Sequence, residues 1–451
     1  MTNKTSSKNS LAVVILAAGK GTRMKSALPK VMHKVAGRPM INWVIERAES
    51  LNPEKIIVVI APDMDEVAAT VAPHKVAIQK QQNGTGDAVK PAMELLAGFD
   101  GKVLILLGDE PFVDIDVLED MIAHDGASVM GVVPPSSDGL GRMMVDEAGN
   151  LEAIIEERDA SDQQKEIGLC NAGNFCFPVA ALSNWLDKLQ TNNNQKEYYL
   201  TDVPLLAREE GVETKVFVVE SDIAWGINNR IELSEHEYMA QAMLRDDAMM
   251  EGVTFIDPES VTLSWDTEFG QDVTIEPNVI LDTGVTIGNN VTIHAFSHIK
   301  GADIEDGASI GPFARIRPKS VIGEGAAIGN FCEVNRSIIE PKAKSKHFSY
   351  IGDSVIGENT NIGAGTVIAN YDGFFKHKST IGKNVFIGSN ATLISPVNVG
   401  DAAIIAANST INKDVPGNAM AVARSRQENH AGWASEYRNL KRQEKEREED
   451  E

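Results

Sequence analysis

Residues 273–299 read VTIEPNVILDTGVTIGNNVTIHAFSHI, and an aliphatic side chain returns there at every sixth position: Ile275, Leu281, Ile287, Ile293 and Ile299. The register spans Val273 to Ile411. It continues one residue out of step through Ile310, Ile316, Ile322, Ile328 and Val334, and then through Ile356, Ile362 and Ile368. Ile381, Ile387, Leu393, Val399, Ile405 and Ile411 complete it. An amphipathic helix repeats near 3.6 residues and a half-buried strand near 2, so this period fits neither. It predicts a solenoid in which each hexad forms one flat side of a coil and points one branched side chain inward. Gly follows the aliphatic residue in Ile287-Gly288, Ile322-Gly323, Ile362-Gly363 and Ile387-Gly388, where a side chain would hinder the next turn. A β-sandwich would need alternation of period two with irregular strand spacing, which this stretch lacks.

The chain has 451 residues, 43% of them hydrophobic, enough for several cores. Its formal net charge of −23 opposes general binding to nucleic acid or to an anionic membrane surface, because phosphates would be repelled. Cys170, Cys176 and Cys332 form an odd set without CxxC spacing, which predicts reduced thiols and a cytoplasmic location. Residues 1–10 are polar, without an apolar run behind a basic start, and read as a disordered terminus and no signal peptide. No apolar run approaches the roughly twenty residues of a membrane span.

Residues 11–230 alternate strand-like and helix-like patterns. Leu11–Ala17 is a continuous apolar run suited to a strand buried on both faces. Ile56–Ala61, Val103–Leu107, Ser128–Val133 and Lys215–Val219 read as further strands, with amphipathic helices such as Met40–Ser50 and Ala88–Leu96 between them. A mostly parallel sheet with helices on both faces follows, with ligands expected at the carboxyl ends of the strands. Asn228–Met250 contains neither Gly nor Pro and reads as a helix linking two domains, the linker proper being 231–252. Residues 253–426 form the repeat domain. The segment 427–451 is expected to be a solvated tail, frayed over the highly charged Lys441–Glu451.

Directly after the first strand comes Leu16-Ala17-Ala18-Gly19-Lys20-Gly21-Thr22-Arg23-Met24, followed by Leu28-Pro29-Lys30. Small residues at that point let backbone N–H groups approach phosphate oxygens, and Arg23 and Lys30 add charge to meet a departing pyrophosphate. The stretch is neither a Walker A loop nor a GxGxxG fingerprint. It resembles the signature of sugar-nucleotide pyrophosphorylases, which join a sugar 1-phosphate to a nucleoside triphosphate on a Rossmann-like α/β fold. That resemblance implies a nucleotide site of Leu16, Ala17, Ala18, Gly19, Lys30, Gln79, Gly84, Thr85, Gly141, Glu156, Asn171 and Asn228. It makes Arg23 and Lys30 the catalytic cations, and Asp109 and Asn228 the Mg²⁺ ligands. A carboxylate, an amide oxygen and phosphate oxygens suit that hard cation.

The repeat has two apparent interruptions. Ile339–Tyr350 carries Lys342, Lys344, Lys346 and His347 in an otherwise acidic chain, and Asn370 to Ser379 reads as a second loop. Solenoids place function at such breaks and at seams. With Gly311-Pro312-Phe313-Ala314-Arg315-Ile316-Arg317, Ser349-Tyr350-Ile351-Gly352-Asp353, Asn361-Ile362-Gly363-Ala364-Gly365-Thr366 and Asn370-Tyr371-Asp372-Gly373, the whole chain from about Leu11 to Arg426 resembles one family. These are the bifunctional bacterial enzymes that make UDP-N-acetylglucosamine, joining a glucosamine-1-phosphate acetyltransferase to an N-acetylglucosamine-1-phosphate uridylyltransferase. The resemblance implies a left-handed parallel β-helix that assembles as a homotrimer, with UTP and acetyl-CoA as co-substrates. It assigns His347 as general base; Arg317, Asn335, Tyr350 and Asn361 to the glucosamine phosphate; and Ala364, Asn370, Tyr371, Ser389, Ala407 and Arg424 to acetyl-CoA.

Two positions depart from the family pattern. Asn335, followed by Arg336, stands where Lys is usual, and Asn408 stands where Gly is common. A competing expectation is a monofunctional pyrophosphorylase whose β-helix serves only assembly or regulation; His347 and the Asn370-Tyr371 loop oppose it. A non-catalytic subunit of the kind found in translation-initiation exchange factors would not need Arg23, Lys30, Asp109 and Asn228 together.

Overall fold

The computed structural model describes residues 10–134, 136–219 and 226–449. The expected disordered terminus, apart from Ser10, lies outside the described residues. The chain divides into two compact units, Met1–Leu244 and Arg245–Glu451.

In the first unit the apolar runs assemble into one twisted sheet. From edge to edge its strands are Thr214–Val219, Ala127–Val132, Cys170–Pro178, Lys102–Leu107, Leu11–Leu16, Lys55–Ile60 and Lys75–Ile78. Each expected strand is present within a residue or so of its predicted bounds. Cys170–Pro178 had no counterpart in the sequence reading. It is antiparallel to both neighbours and supports the hairpin Arg142–Val145 with Leu151–Ile155. Alternate side chains leave opposite faces of a strand. Val13, Ile15, Leu104 and Leu106 therefore pack with Ile41, Val44, Leu118 and Met121 on one face. Val14, Val103, Ile105 and Phe175 pack with Val89, Ala92, Leu182 and Trp185 on the other. Helices Met40–Ser50 and Thr85–Leu95 supply part of each layer.

The expected linking helix runs Arg230–Met250. It starts at Arg230 because the Asn229 side-chain oxygen accepts the Ile231 and Glu232 amide hydrogens at 2.8 and 3.1 Å, satisfying the open end of the helix.

The second unit is a parallel β-helix. Its inward side chains stack in three ladders, each formed by strands paired in register. Ile275, Ile293, Ile310 and Ile328 make part of one; Leu281, Ile299, Ile316 and Val334 part of another; Ile287, Ile304, Ile322, Ile339, Ile356 and Ile381 part of the third. All of these are buried. Gly at the corners has the reason expected: a Cβ on Gly388 would stand 2.5 Å from the Ala407 nitrogen of the next coil. The Ile310→Ala variant should lose about 2–5 kcal/mol of stability, as a buried branched side chain is replaced by a cavity. The midpoint of urea unfolding measures this.

Two sequence expectations are corrected here. Ile339–Tyr350 does not interrupt the coil, because Lys344–Gly352 is a continuous strand paired in register with Ala327–Asn335. The aliphatic pattern faltered because Ser345 holds the inward position between Ile328 and Ile362, where the Cys332 thiol donates to its carbonyl at 3.2 Å. The real insertion lies between Ile356 and Ile381, which pair directly although the Asn370-Tyr371 loop separates them. The second correction concerns the tail. Trp433–Glu449 is a helix with every side chain exposed. It is held locally by Trp433 stacked on Tyr437 and by the Lys445–Glu449 ion pair, both at the i,i+4 spacing that a helix brings together.

Candidate active sites

Leu16 pairs with Leu107 at the end of adjacent parallel strands, so the chain leaves the sheet twice along one edge. The Gly108 amide donates to Leu16 O at 2.9 Å, and the Gln79 amide to Ile60 O at 2.9 Å, which brings a third loop to the same edge. Gly21 has a left-handed φ of 58°, and a Cβ there would lie 2.6 Å from Lys30 Cβ. The glycine loop can therefore close directly onto the Leu28-Pro29-Lys30 turn. Around the resulting cavity of about 450 Å³ stand Leu16, Ala17, Ala18, Gly19, Arg23, Lys30, Gln79, Gly84, Thr85, Asp109 and Asn228. Every one of these was singled out in the sequence, and the structure brings them together.

The charged end of this cavity is tightly connected. The Lys30 ammonium pairs with the Asp109 carboxylate and donates to Asn228 Oδ1 at 2.8 Å; the Arg23 guanidinium donates to the same oxygen at 2.8 Å. Lys30 and Asp109 are largely buried, at 12% and 19% side-chain exposure, so their pairing is screened less than a surface pair. The Ile227 amide donates to Asp109 O at 2.9 Å, joining the two segments that carry the oxygens. A carboxylate and an amide oxygen thus converge on a single cation, here the Lys30 ammonium, and neither His nor Cys lines the cavity among the described residues. That donor set fits a hard divalent cation.

Gln79 donates to Gly84 O at 3.2 Å and to Asp87 at 3.0 Å, which fixes the loop before helix Thr85–Leu95. Gly84 has a φ of 111°, and its missing Cβ would meet Tyr198 O at 2.5 Å. Gly84→Ala should therefore cost about 1–3 kcal/mol in stability, and a thermal melt would detect it. Glu156 lines an adjoining cavity that shares Thr22 and Arg23 with the first. Burial pushes its carboxyl up, against the pull of the Thr201 hydroxyl that donates to it at 3.1 Å. Gly141 and Asn171 lie beside it: the Asn171 amide donates to Gly141 O at 2.8 Å, and a Gly141 Cβ would be 3.6 Å from Glu156 Oε1.

In the β-helix, register places His347 beside Asn330, and Nδ1 lies 3.0 Å from Asn330 Oδ1. Ile328, Ser345, Ile362, Ile387 and Ile405 are register partners. Two residues beyond each of them come Asn330, His347, Ala364, Ser389 and Ala407, so these share one corner of the prism on successive coils. The Asn390 amide to Ala364 O at 2.7 Å and the Asn408 amide to Ser389 O at 2.8 Å continue that corner. Asn408 has a φ of 58°, within the left-handed region that Asn tolerates, so the departure from Gly is accommodated by the backbone.

A second group lies along the adjoining strands. Arg317 pairs with Glu333 at 2.8 Å, and Glu333 is in register with Tyr350. Asn335 is buried, and its side-chain oxygen accepts from Arg336 at 3.1 Å. Both ends of the Arg336 fork bind Asp353 at 2.7 Å, and Asn370 donates to that carboxylate at 2.5 Å. Arg336 holds the Asp353 carboxyl below the usual range. The insertion beyond Asn370 is braced internally: Asp372 accepts from the ring of His377 and from the Phe375 and Phe374 amides, which bring its pKa down to about 2. Tyr371 and Arg424 are exposed, and no hydrogen bond joins Arg424 to the other assigned positions among the described residues.

Comparison with known proteins agrees with this division. A MobA-like NTP transferase domain model matches residues 13–199, and the bacterial transferase hexapeptide model of six repeats matches 266–301 and 378–413. The C-terminal domain model named GMPPB matches 298–374. The bifunctional protein GlmU of Paramagnetospirillum magneticum is 45% identical over 95% of this chain and 96% of its own length. That of Zymomonas mobilis is 42% identical over 96% of this chain and 98% of its own. The chain belongs to the GlmU family. Its coverage of GlmU relatives takes in both the nucleotidyltransferase unit and the β-helix, so the expectation of a single-activity pyrophosphorylase is set aside.

Several residues near the sites were missed in the sequence. Glu197 lines the first cavity, and Gln82 donates to Ala18 O across it. Glu110 is wholly buried beside Asp109; burial and then the Asp109 charge push its carboxyl well above the usual range, and Asn174 donates to it at 2.6 Å. Glu110 did not signal itself, since an acidic residue after a strand reads as turn chemistry, and Gln82 and Glu197 lie in loops whose approach to the cavity no local pattern records. Asn330 was legible in principle, because it precedes His347 by one coil.

Proposed function

We propose that the chain catalyses two consecutive steps of UDP-N-acetylglucosamine synthesis: acetyl transfer from acetyl-CoA to glucosamine 1-phosphate, then uridylyl transfer from UTP to the acetylated product. The observation that carries this reading is the presence of two separately built sites, one in each unit of a GlmU-family chain.

For uridylyl transfer, a phosphate oxygen of N-acetylglucosamine 1-phosphate attacks the α-phosphorus of UTP. The bond from that phosphorus to the bridging oxygen breaks, and pyrophosphate leaves. The nucleophile is already anionic, so positioning and charge neutralisation suffice. Backbone amides of the Leu16–Gly19 turn receive phosphate oxygens, and Gln79, Gly84 and Thr85 form the wall that reads the base. Lys30 and Arg23 meet the charge that develops as pyrophosphate departs. Gly141, Glu156 and Asn171 hold the sugar and ribose. Asp109 and Asn228 would hold Mg²⁺, which when bound supplies electrostatic stabilisation of the phosphates.

For acetyl transfer, the amine of glucosamine 1-phosphate attacks the thioester carbonyl, the C–S bond breaks, and CoA leaves as the thiol. His347 takes the amine proton and passes it to the departing CoA sulfur. With Asn330 Oδ1 accepting from Nδ1–H, the lone pair sits on Nε2, the tautomer needed for a base. Arg317, Tyr350 and Asn361 take the sugar phosphate beside Asn335, whose neighbour Arg336 is itself paired with Asp353. Ala364, Ser389 and Ala407 line the track for acetyl-CoA, with Asn370, Tyr371 and Arg424 beside it.

The assembly is a homotrimer formed through the β-helix, in the cytoplasm; no described helix is long and apolar enough to cross a membrane. Phe296, Phe313 and Phe331 support assembly: they stack at 4.9 and 5.3 Å between ring centres, yet stand about half exposed along one corner. Phe313→Ser with Phe331→Ser should shift the trimer towards smaller species, as sedimentation velocity would report. In this reading a uridylyltransferase domain spans 11–230 and an acetyltransferase domain 253–426. The test of the whole reading is to measure both activities on one preparation: free thiol from acetyl-CoA and glucosamine 1-phosphate, and pyrophosphate from UTP and N-acetylglucosamine 1-phosphate. Absence of either product removes that half.

A further inference from the structure

We infer that Arg230 and His33 are positioning residues for the uridylyl-transfer site, clamping the glycine loop and the Lys30 turn to the segment that carries Asn228. The inference rests on the uridylyl-transfer reading and extends it to residues that touch no substrate.

Arg230 opens the helix Arg230–Met250, two residues after Asn228. Its Nε donates to Met24 O at 3.3 Å, next to Arg23, and its Nη1 donates to His33 Nδ1 at 3.3 Å. His33 in turn closes the short helix Lys30–Met32, its amide donating to Lys30 O at 3.2 Å. One guanidinium therefore ties together the backbone carrying Arg23, the turn carrying Lys30 and the residue pair leading to Asn228. These are the three side chains that converge at the charged end of the nucleotide cavity. Arg suits this work because its planar fork spans two acceptors, whereas the Lys ammonium is a single point charge.

His33 is built as an acceptor rather than as a spare core residue. Burial, and then the Arg230 charge, lower its pKa, so the ring is neutral and Nδ1 can receive the guanidinium. The opposite nitrogen, Nε2, is buried without a partner among the described residues. An unpaired buried polar group costs stability, and an apolar side chain of similar size would avoid that cost. What the imidazole supplies at this position is the bond to Arg230.

The experiment compares Arg230→Ala and Arg230→Lys with the unaltered full-length chain. kcat and KM for UTP are measured in uridylyl transfer, and acetyl transfer is measured on the same preparations. Misplacing the cations should lower uridylyl-transfer kcat about 10²-fold in both variants, with a smaller change in KM for UTP and acetyl transfer unaltered. Added methylguanidinium should recover part of the lost kcat in Arg230→Ala. An unchanged kcat, a parallel loss of both activities, or no response to methylguanidinium each overturns the clamp. If the unaltered chain itself releases no pyrophosphate, the uridylyl-transfer reading fails, and the inference with it.

Discussion

His347→Ala should lower acetyl transfer by about 10²-fold or more, the contribution expected of a positioned general base, and leave uridylyl transfer at its original rate. The separation is expected because His347 belongs to the β-helix, with an exposed ring whose one hydrogen bond among the described residues joins Nδ1 to Asn330. Removing it deletes a proton acceptor without opening a core. Thiol release from acetyl-CoA in the presence of glucosamine 1-phosphate provides the measurement, with pyrophosphate release as the internal control. Parallel loss of both signals would indicate disruption of the chain, and full retention of thiol release would discard His347 as the base. Asn330→Ala offers a graded companion. With no acceptor to hold the proton on Nδ1, the imidazole divides between tautomers, so a smaller loss of the same activity is expected.

The second large effect is expected at Lys30. Lys30→Met keeps most of the aliphatic stem and removes the ammonium that meets both Asp109 and Asn228. Loss of one preorganised charge of this kind costs about 10²–10³ in kcat, read as pyrophosphate released from UTP and N-acetylglucosamine 1-phosphate. Acetyl transfer should be untouched. A kcat within a few-fold of the unaltered chain would remove Lys30 from the catalytic set. The variant also separates two roles that the geometry superimposes. With the ammonium gone, the Asp109 and Asn228 oxygens no longer share it, so the Mg²⁺ concentration needed for half-maximal rate should fall even as the maximal rate drops. Asp109→Ala should raise that requirement instead.

The two units were legible to different depths. The ladder positions could be read directly, since a side chain pointing inward once per side must be aliphatic and the coil repeats itself. Ser345 shows the limit of this: a small polar residue whose hydroxyl meets the Cys332 thiol of the preceding coil looked like a break, whereas the strand Lys344–Gly352 passes through it undisturbed. In the first unit the parallel strands were visible as apolar runs. Cys170–Pro178 was not, because Asn171, Gly173 and Asn174 interrupt the pattern; the pairing register shifts between Asn171 and Phe175, the Asn171 side chain accepts from the Gly173 amide, and Asn174 donates to Glu110.

Sequence alone therefore determined the solenoid, the α/β class of the first unit, and the glycine loop with Arg23 and Lys30 after its first strand, because period, apolar runs and glycine spacing are local properties of the chain; the other cavity residues were reached through the family resemblance. Tertiary structure decided which distant groups share an atom. Asn228 Oδ1 receives both Arg23 and Lys30, Arg230 bridges Met24 and His33, and Asn330 fixes the ring of His347. Such contacts depend on sheet register and coil closure, which bring together residues separated by one coil or by most of a domain. No local pattern records them.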